Sequence, residues 1–279
     1  MAHIGHMLVA SDLTGRSVYP LQRAVQLKAE SDCQLTVLHV VEHGLTAQIL
    51  ERRRTEADAQ LEGWKRTLSE ASQPGIGISV EVGDPFAAIV EVLQAGRIDL
   101  AVVGGPGKRG LKELFTGTTA ERVIRFSHVP VLMVNRHPDG PYKRVIVAVD
   151  FSQGSQRALE WACRVAPHAE IRLVHAWQSP LWEAGSDEPQ TDAATERLRE
   201  QEVQQLRAMI ARVAGGRTFA LEIVEDGPFA ALRNAIGVFN ADLLAMGTHT
   251  RTRLATAMVG SLAQEFLAAG ACDALVAKA

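Results

Sequence analysis

Between Gly104 and Thr119 the chain reads GGPGKRGLKELFTGTT. Glycines at 104, 105, 107 and 110 let backbone N–H groups come close to a ligand with no Cβ in the way. Lys108 and Arg109 add positive charge; the alternative for both is a solvated loop. Gly117, Thr118 and Thr119 stand where a helix rich in Ala, Glu and Arg begins, so the hydroxyls can cap it and its first amides can face an anion. Upstream, Leu100 to Val103 is a short apolar run that stops at Gly104, which predicts a buried strand emptying into the loop. Strand, glycine loop and helix start together predict a phosphate cradle. Two familiar motifs do not describe it. Gly105-x-Gly107-x-x-Gly110 matches a dinucleotide fingerprint in letters only, because it follows a late strand and no acidic residue ends a strand about 20 positions on. Gly107-Lys108 is followed by Arg109, with no hydroxyl for magnesium, so it is not a P-loop.

The elements that must position this loop are written twice. Asp12-x-Thr14-x-x-Ser17 follows the apolar run from Met7 to Ala10, and Asp150-x-Ser152-x-x-Ser155 follows Val145 to Val149. Pro85-Phe86-Ala87-Ala88 returns as Pro228-Phe229-Ala230-Ala231, Gly104 as Gly247, and Gly117-Thr118 as Gly260-Ser261. Periodicity predicts strands at 6–11, 34–41, 76–82, 98–103 and 129–134, then at 144–149, 170–176, 219–224, 241–246 and 274–277. Helical patterns lie between them at 18–30, 46–72, 86–95 and 119–126, then at 156–166, 192–214, 229–239 and 262–269. Strands apolar throughout and separated by helices mean a parallel sheet covered on both faces, so the fold class is α/β, with two doubly wound five-stranded domains. The polar, Pro/Gly-rich stretch from Asn135 to Pro141 is suited to a linker, which divides the chain into residues 1–138 and 139–279. Charge runs on the long second helices, such as Glu51-Arg52-Arg53-Arg54, read as solvated faces.

In an open α/β sheet, ligands bind beyond the carboxyl ends of the strands where the strand order reverses. Asp12 and Asp150 end the first strands, and each either accepts hydrogen bonds from a ligand or caps the helix that follows. Composition narrows the rest. With 29 basic and 32 acidic residues the net charge is −3, which gives no drive toward nucleic acid or an anionic membrane. Cys33, Cys163 and Cys272 are scattered, as expected of small buried hydrophobes in a reducing cytoplasm. No apolar run approaches the roughly 18 residues of a membrane span, and the first residues lack the pattern of a secretion signal. His39 and His43 run from strand into loop rather than along one helix face, so no metal site is expected of them. No Ser-His-Asp order, carboxylate pair or activated cysteine argues for covalent or acid–base catalysis.

Gly104-x2-Gly107-x9-Gly117-Thr118 resembles the nucleotide-binding signature G-x2-G-x9-G-(S/T) of the universal stress protein family. The likeness extends over essentially the whole chain, with the strand-Asp-helix opening of each copy, His39 and His175 near the ends of the second strands, and Pro130 to Val134 as a last strand. It implies a tandem member of that family, with strand order 3-2-1-4-5 in each domain and last strands paired across the domains as a pseudo-dimer. Carried over by position, it implies that Asp12 contacts the nucleoside and that Val40 or Val41 offers backbone groups to adenine. Gly104, Gly107, Gly117, Thr118 and Thr119 would hold the phosphates. The second copy reads Gly247-Thr248-His249-Thr250 and then Gly260-Ser261, so Thr250 stands where the second glycine belongs. A left-handed non-glycine residue costs about 1–2 kcal/mol, so a site built on Asp150, Gly247, Thr250, Gly260 and Ser261 is expected to be the weaker one.

Two functions from different classes follow. The first is a cytoplasmic stress-response protein that binds ATP or a related adenine nucleotide in domain 1, with or without magnesium, as a sensor or regulatory module. The second is a nucleotide-independent module whose pseudo-dimer surface binds a protein partner or a small apolar ligand, alone or as a further homodimer. Hydrolysis, a third reading, would be slow, because no residue is evident to position water.

Overall fold

The computed structural model describes residues 3–69, 75–105, 118–177, 192–213, 215–248 and 261–278. The first half runs β1 (His6–Ser11), a 3-10 turn (Gly15–Ser17), α1 (Val18–Ser31), β2 (Gln34–Glu42), α2 (Ala47–Ser69), β3 (Ile76–Gly83), α3 (Pro85–Ala95), β4 (Leu100–Gly104), α4 (Thr119–Phe126) and β5 (Val131–Val134). The second runs β6 (Arg144–Ala148), α5 (Gln153–Val165), β7 (Glu170–Ala176), α6 (Asp192–Val213), β8 (Ala220–Val224), α7 (Pro228–Phe239), β9 (Leu243–Gly247), α8 (Ser261–Ala269) and β10 (Asp273–Ala277).

All ten strands lie in one sheet, ordered β3-β2-β1-β4-β5-β10-β9-β6-β7-β8. Each half has the order 3-2-1-4-5 and is parallel throughout; His6 faces Gln34 and Met7 faces Leu100 in the first half, and Arg144 faces Glu170 in the second. The halves join where β5 and β10 pair antiparallel, Leu132 opposite Leu275, so the last strands do make a pseudo-dimer. Their pairing removes two exposed edges that would otherwise invite association.

Alternation along the strands sorts the core into two layers. Met7, Val9, Val102, Leu132, Val147 and Leu275 point to the face covered by α1, α2 and α5, a single cluster spanning both halves. Leu8, Val103, Met133, Ile146, Leu244 and Val276 point to the face of α3, α4, α7 and α8. Strands buried on both sides are what parallel βαβ winding requires, and each fully buried Leu or Val contributes about 1.5–3 kcal/mol relative to exposure. Cys33, Cys163 and Cys272 are all buried and unpaired, as their scatter implied.

The start of α5 differs from the periodicity, and the start of α1 at Val18 agrees with it. Helix α5 begins at Gln153 rather than at 156, because Ser152 Oγ accepts the Ser155 amide and supplies a cap three residues earlier. Helix α1 has no side-chain cap; a 3-10 turn precedes it, and Leu13 takes a left-handed φ of 60°.

Candidate functional site

The strand order reverses between β1 and β4, and a cleft of about 890 Å³ opens there at the carboxyl ends of β1, β2 and β4. Asp12, Val40, Val41, Gly104, Thr118 and Thr119 all line it, so the residues singled out from the sequence in the first half meet at one place wherever they are described. Gly107, Lys108, Arg109 and Gly117 lie outside the described residues.

Asp12 follows the last residue of β1 and turns back into its own loop. Its Oδ1 accepts the Thr14 amide at 2.9 Å, the Thr14 hydroxyl at 2.7 Å and the Ser17 hydroxyl, while the Asp12 amide donates to Ser17 Oγ at 3.0 Å. Partial burial alone would raise the carboxyl pKa, but the hydrogen bonds from Ser17 and Thr14 outweigh it and hold the group below the usual aspartate value. The either-or posed by the sequence is therefore half answered: one oxygen organises the start of α1. Among the described residues, Oδ2 accepts no hydrogen bond.

Beside it, His39 Nδ1 pairs with the Ser11 carbonyl at 2.9 Å. A carbonyl accepts only from Nδ1–H, so in the neutral ring Nε2 is the lone-pair acceptor on the cleft wall. At the other end, Thr118 and Glu121 form a reciprocal capping box on α4. Thr118 Oγ1 accepts the Glu121 amide at 3.2 Å, and the Thr118 amide donates to Glu121 Oε2 at 3.1 Å. The Thr118 amide is thus already occupied, and among the described residues the helix-start amides without a partner begin at Thr119 and Ala120, both on the cleft.

Helix α2 supplies a wall that the sequence did not reveal. Arg53, Glu56, Ala57 and Gln60 face the cleft at helical spacing, and Gln60 Nε2 reaches the Leu13 carbonyl at 3.4 Å. The charge run 51–54 is exposed, as its polarity implied, yet Arg53 stands at the cleft mouth, where it is the one Lys or Arg among the described lining residues. The facing carboxylates are Asp12, Glu42 and Glu56, and Glu56 is engaged by Arg52 at 3.7 Å on the solvent side. Only the side-chain spacing 53, 56, 57, 60 pointed to this stripe, and a charge run masks such a pattern.

The equivalent region of the second half is built differently. Asp150 Oδ1 accepts the Ser152 amide at 2.8 Å and its hydroxyl at 2.5 Å, and His175 repeats the His39 bond by pairing with the Val149 carbonyl at 2.8 Å. Here, however, the start of α5 lies directly on the end of β9. A Cβ on Gly247 would fall 2.8 Å from Gly154 Cα and 2.5 Å from Ser155 N, whereas among the described residues one on Gly104 would meet only Pro20 Cγ at 3.7 Å. Trp177 stands at the register position of Val41, and its indole is buried, with an N–H that has no partner among the described residues. Thr250 and Gly260 lie outside the described residues; Ser261 begins α8. Among the described residues no three of His, Cys, Asp and Glu come together to hold a metal, and no helix is long and apolar enough to cross a membrane.

The arrangement defines a doubly wound α/β protein with an open cleft at the switch point of its first half. The model of the universal stress protein family matches residues 3–135 and again 141–278, and the chain belongs to that family. A universal stress protein of Methanocaldococcus jannaschii is 30% identical over 141 residues, which is 47% of this chain and 81% of that one. Among solved structures, a functionally unknown protein from Pseudomonas aeruginosa superposes with a TM-score of 0.73 at 19% identity, covering 99% of this chain and 92% of its own. A universal stress protein from Archaeoglobus fulgidus gives 0.68 at 20% identity, with 99% and 97% covered. Both share the two-domain fold along essentially the full length.

Proposed function

We propose that the cleft of the first domain, residues 1–138, binds ATP or a related adenine nucleotide, and that the protein acts as a cytoplasmic sensor or regulatory module. The observation that carries this reading is the convergence, at the sheet's switch point, of Asp12, the backbone at Val40 and Val41, Gly104, and the start of α4 in one cleft of about 890 Å³. In this reading Asp12 Oδ2 and His39 Nε2 accept from the nucleoside. The β2 end presents main-chain groups to adenine, and the phosphates lie toward Gly104, Gly107, Gly117 and the amides of Thr119 and Ala120. Lys108, Arg109 and Arg53 supply the countercharge. The second domain, residues 139–279, is the poorer nucleotide site, because backbone of α5 occupies the space beside Gly247 and Trp177 replaces a small residue at the adenine end.

The test is calorimetric titration of ATP into nucleotide-stripped protein, with and without magnesium, repeated on Gly107→Val. Saturable binding at one nucleotide per chain, lost in a variant that still folds, is the expected result. A folded wild type that takes up no adenine nucleotide refutes the reading and favours a nucleotide-independent interaction module.

A further inference from the structure

The linker between the domains is wrapped around one buried carboxylate. Asp273 opens β10 in the second domain, and its side chain is 2% exposed. Its Oδ1 accepts the amides of Asn135 at 2.8 Å and Arg136 at 3.3 Å. Its Oδ2 accepts the Tyr142 hydroxyl at 2.7 Å and lies 3.6 Å from Arg23 Nε of α1. Arg23 stacks on the Tyr142 ring at 3.8 Å and donates to the Gly140 carbonyl at 2.9 Å. Burial pushes the Asp273 carboxyl upward against the hydrogen bonds from Tyr142 and Asn135 and the charge of Arg23. A charge held there is costly unless every partner stays in place.

The same linker touches the cleft. Asn135 lines it and donates Nδ2–H to the Cys272 carbonyl at 2.6 Å. Its side chain packs against Gly105, where an added Cβ would lie 2.9 Å from Asn135 Cγ and closer still to Oδ1. Gly105 is also held by its amide, which donates to the Val134 carbonyl at 2.9 Å. Gly105 is also where the strand ends and the glycine loop starts. Asp273, Asn135 and Gly105 therefore form an unbroken set of contacts from the second domain to the root of the first domain's loop. The other half lacks it: by the repeat, Asp273, Arg23, Tyr142 and Asn135 correspond to Pro130, Trp161, Ile4 and Lys278, which cannot assemble such a cluster.

We propose that Asp273 is a positioning residue for the first domain's ligand site, acting through Asn135 on Gly105, so that the second domain completes a phosphate site it does not itself hold. This rests on the nucleotide reading above. The contact bears on Gly105, just past the end of β4, and not on the β2 end, so it governs phosphate binding and leaves nucleoside binding alone.

The experiment titrates ATP and adenosine separately into the full-length wild type, Asp273→Ala, Asp273→Asn and Asn135→Ala, each checked for folding by circular dichroism. The alanine variants are expected to weaken ATP by about tenfold, within the usual range of coupling between sites, and adenosine by less than about twofold. Asp273→Asn keeps an acceptor for the Asn135 amide and is expected to recover most of the ATP affinity. Should Asp273→Ala fail to fold, Asn135→Ala carries the same expectation, because it cuts the path while leaving Tyr142, Arg23 and Arg136 on Asp273. An unchanged ratio of ATP to adenosine affinity in folded variants overturns the proposal alone and makes the cluster purely structural. A wild type that binds neither ligand overturns the nucleotide reading and this proposal with it.

Discussion

Gly104 and Gly247 hold the same position in the repeat, at the ends of β4 and β9, but a methyl group added to each meets different surroundings. Among the described residues the new carbon at Gly104 would touch Pro20 Cγ alone, at 3.7 Å, an ordinary contact, and the substitution to alanine should leave stability nearly unchanged. At Gly247 it would lie 2.5 Å from Ser155 N and 2.8 Å from Gly154 Cα, against the roughly 3.4 Å at which ordinary contact begins. These are backbone atoms at the start of α5 and cannot swing away as a side chain would. The helix start must retreat by about 1 Å, loosening Leu159 and Ala162 from the core beneath. Overpacking of this kind costs about 1–3 kcal/mol, and the rigid neighbours place Gly247→Ala at the upper end. At about 2–4 °C per kcal/mol for a chain of this size, Gly247→Ala should lower the Tm by about 6–12 °C, and Gly104→Ala by no more than about 2 °C. Differential scanning calorimetry of the two variants beside the wild type decides it. Equal shifts, or a larger loss at Gly104, would refute the packing argument; a reading of the motif alone, intact in domain 1 and degenerate in domain 2, expects that opposite order.

Replacing Arg53 with Ala should weaken ATP by about three- to tenfold, the scale of one exposed charge-assisted contact, and the loss should shrink as salt is raised; an effect indifferent to salt would remove Arg53 from the site. Thr118→Ala deletes the capping box and should cost about 1 kcal/mol of stability, measured by urea unfolding, with a full wild-type midpoint counting against the cap. Because the folded pKa of Asp12 is depressed, its contribution to stability is present above the unfolded aspartate value near 3.8 and lost as pH falls through the lower folded value. Wild type and Asp12→Asn should therefore differ in Tm at pH 6 and converge as the pH falls below the unfolded aspartate value of 3.8; a gap that widens on acidification contradicts the sign. Thr250→Gly alone should leave the stoichiometry at one nucleotide per chain, since Gly154 still lies against Gly247; a second equivalent of ATP would show that Thr250 was the only obstacle.

The sheet was legible because its signals are local and repeated. Apolar runs such as Leu100 to Val103 and Leu243 to Met246 stop at glycine in both copies, and Asp12 and Asp150 follow the first strands with the same hydroxyls behind them. The joining of β5 to β10 followed from the family resemblance, not from periodicity. What escaped the sequence lies where side-chain direction or distant pairing decides. Arg53 sits in a run of charges whose polarity conceals the one residue turned to the cleft. Trp177 occupies the position of Val41 but had no motif to mark it. Asn135 looked like linker, and Arg23 and Asp273 are brought together only by the antiparallel pairing of two strands from opposite halves. Thr118 caps α4 with its hydroxyl as the sequence implies, but the return bond from its amide to Glu121 escaped, although the Thr-x-x-Glu spacing was there to be read.

The most direct measurement is amide hydrogen exchange on the nucleotide-stripped wild type with and without saturating ATP. Slower exchange confined to segments 8–14, 38–42 and 118–122, with 146–152, 174–177 and 261–265 unchanged, is the result expected for one adenine nucleotide in the first domain. Matching protection in both sets of segments, or in neither, would contradict it.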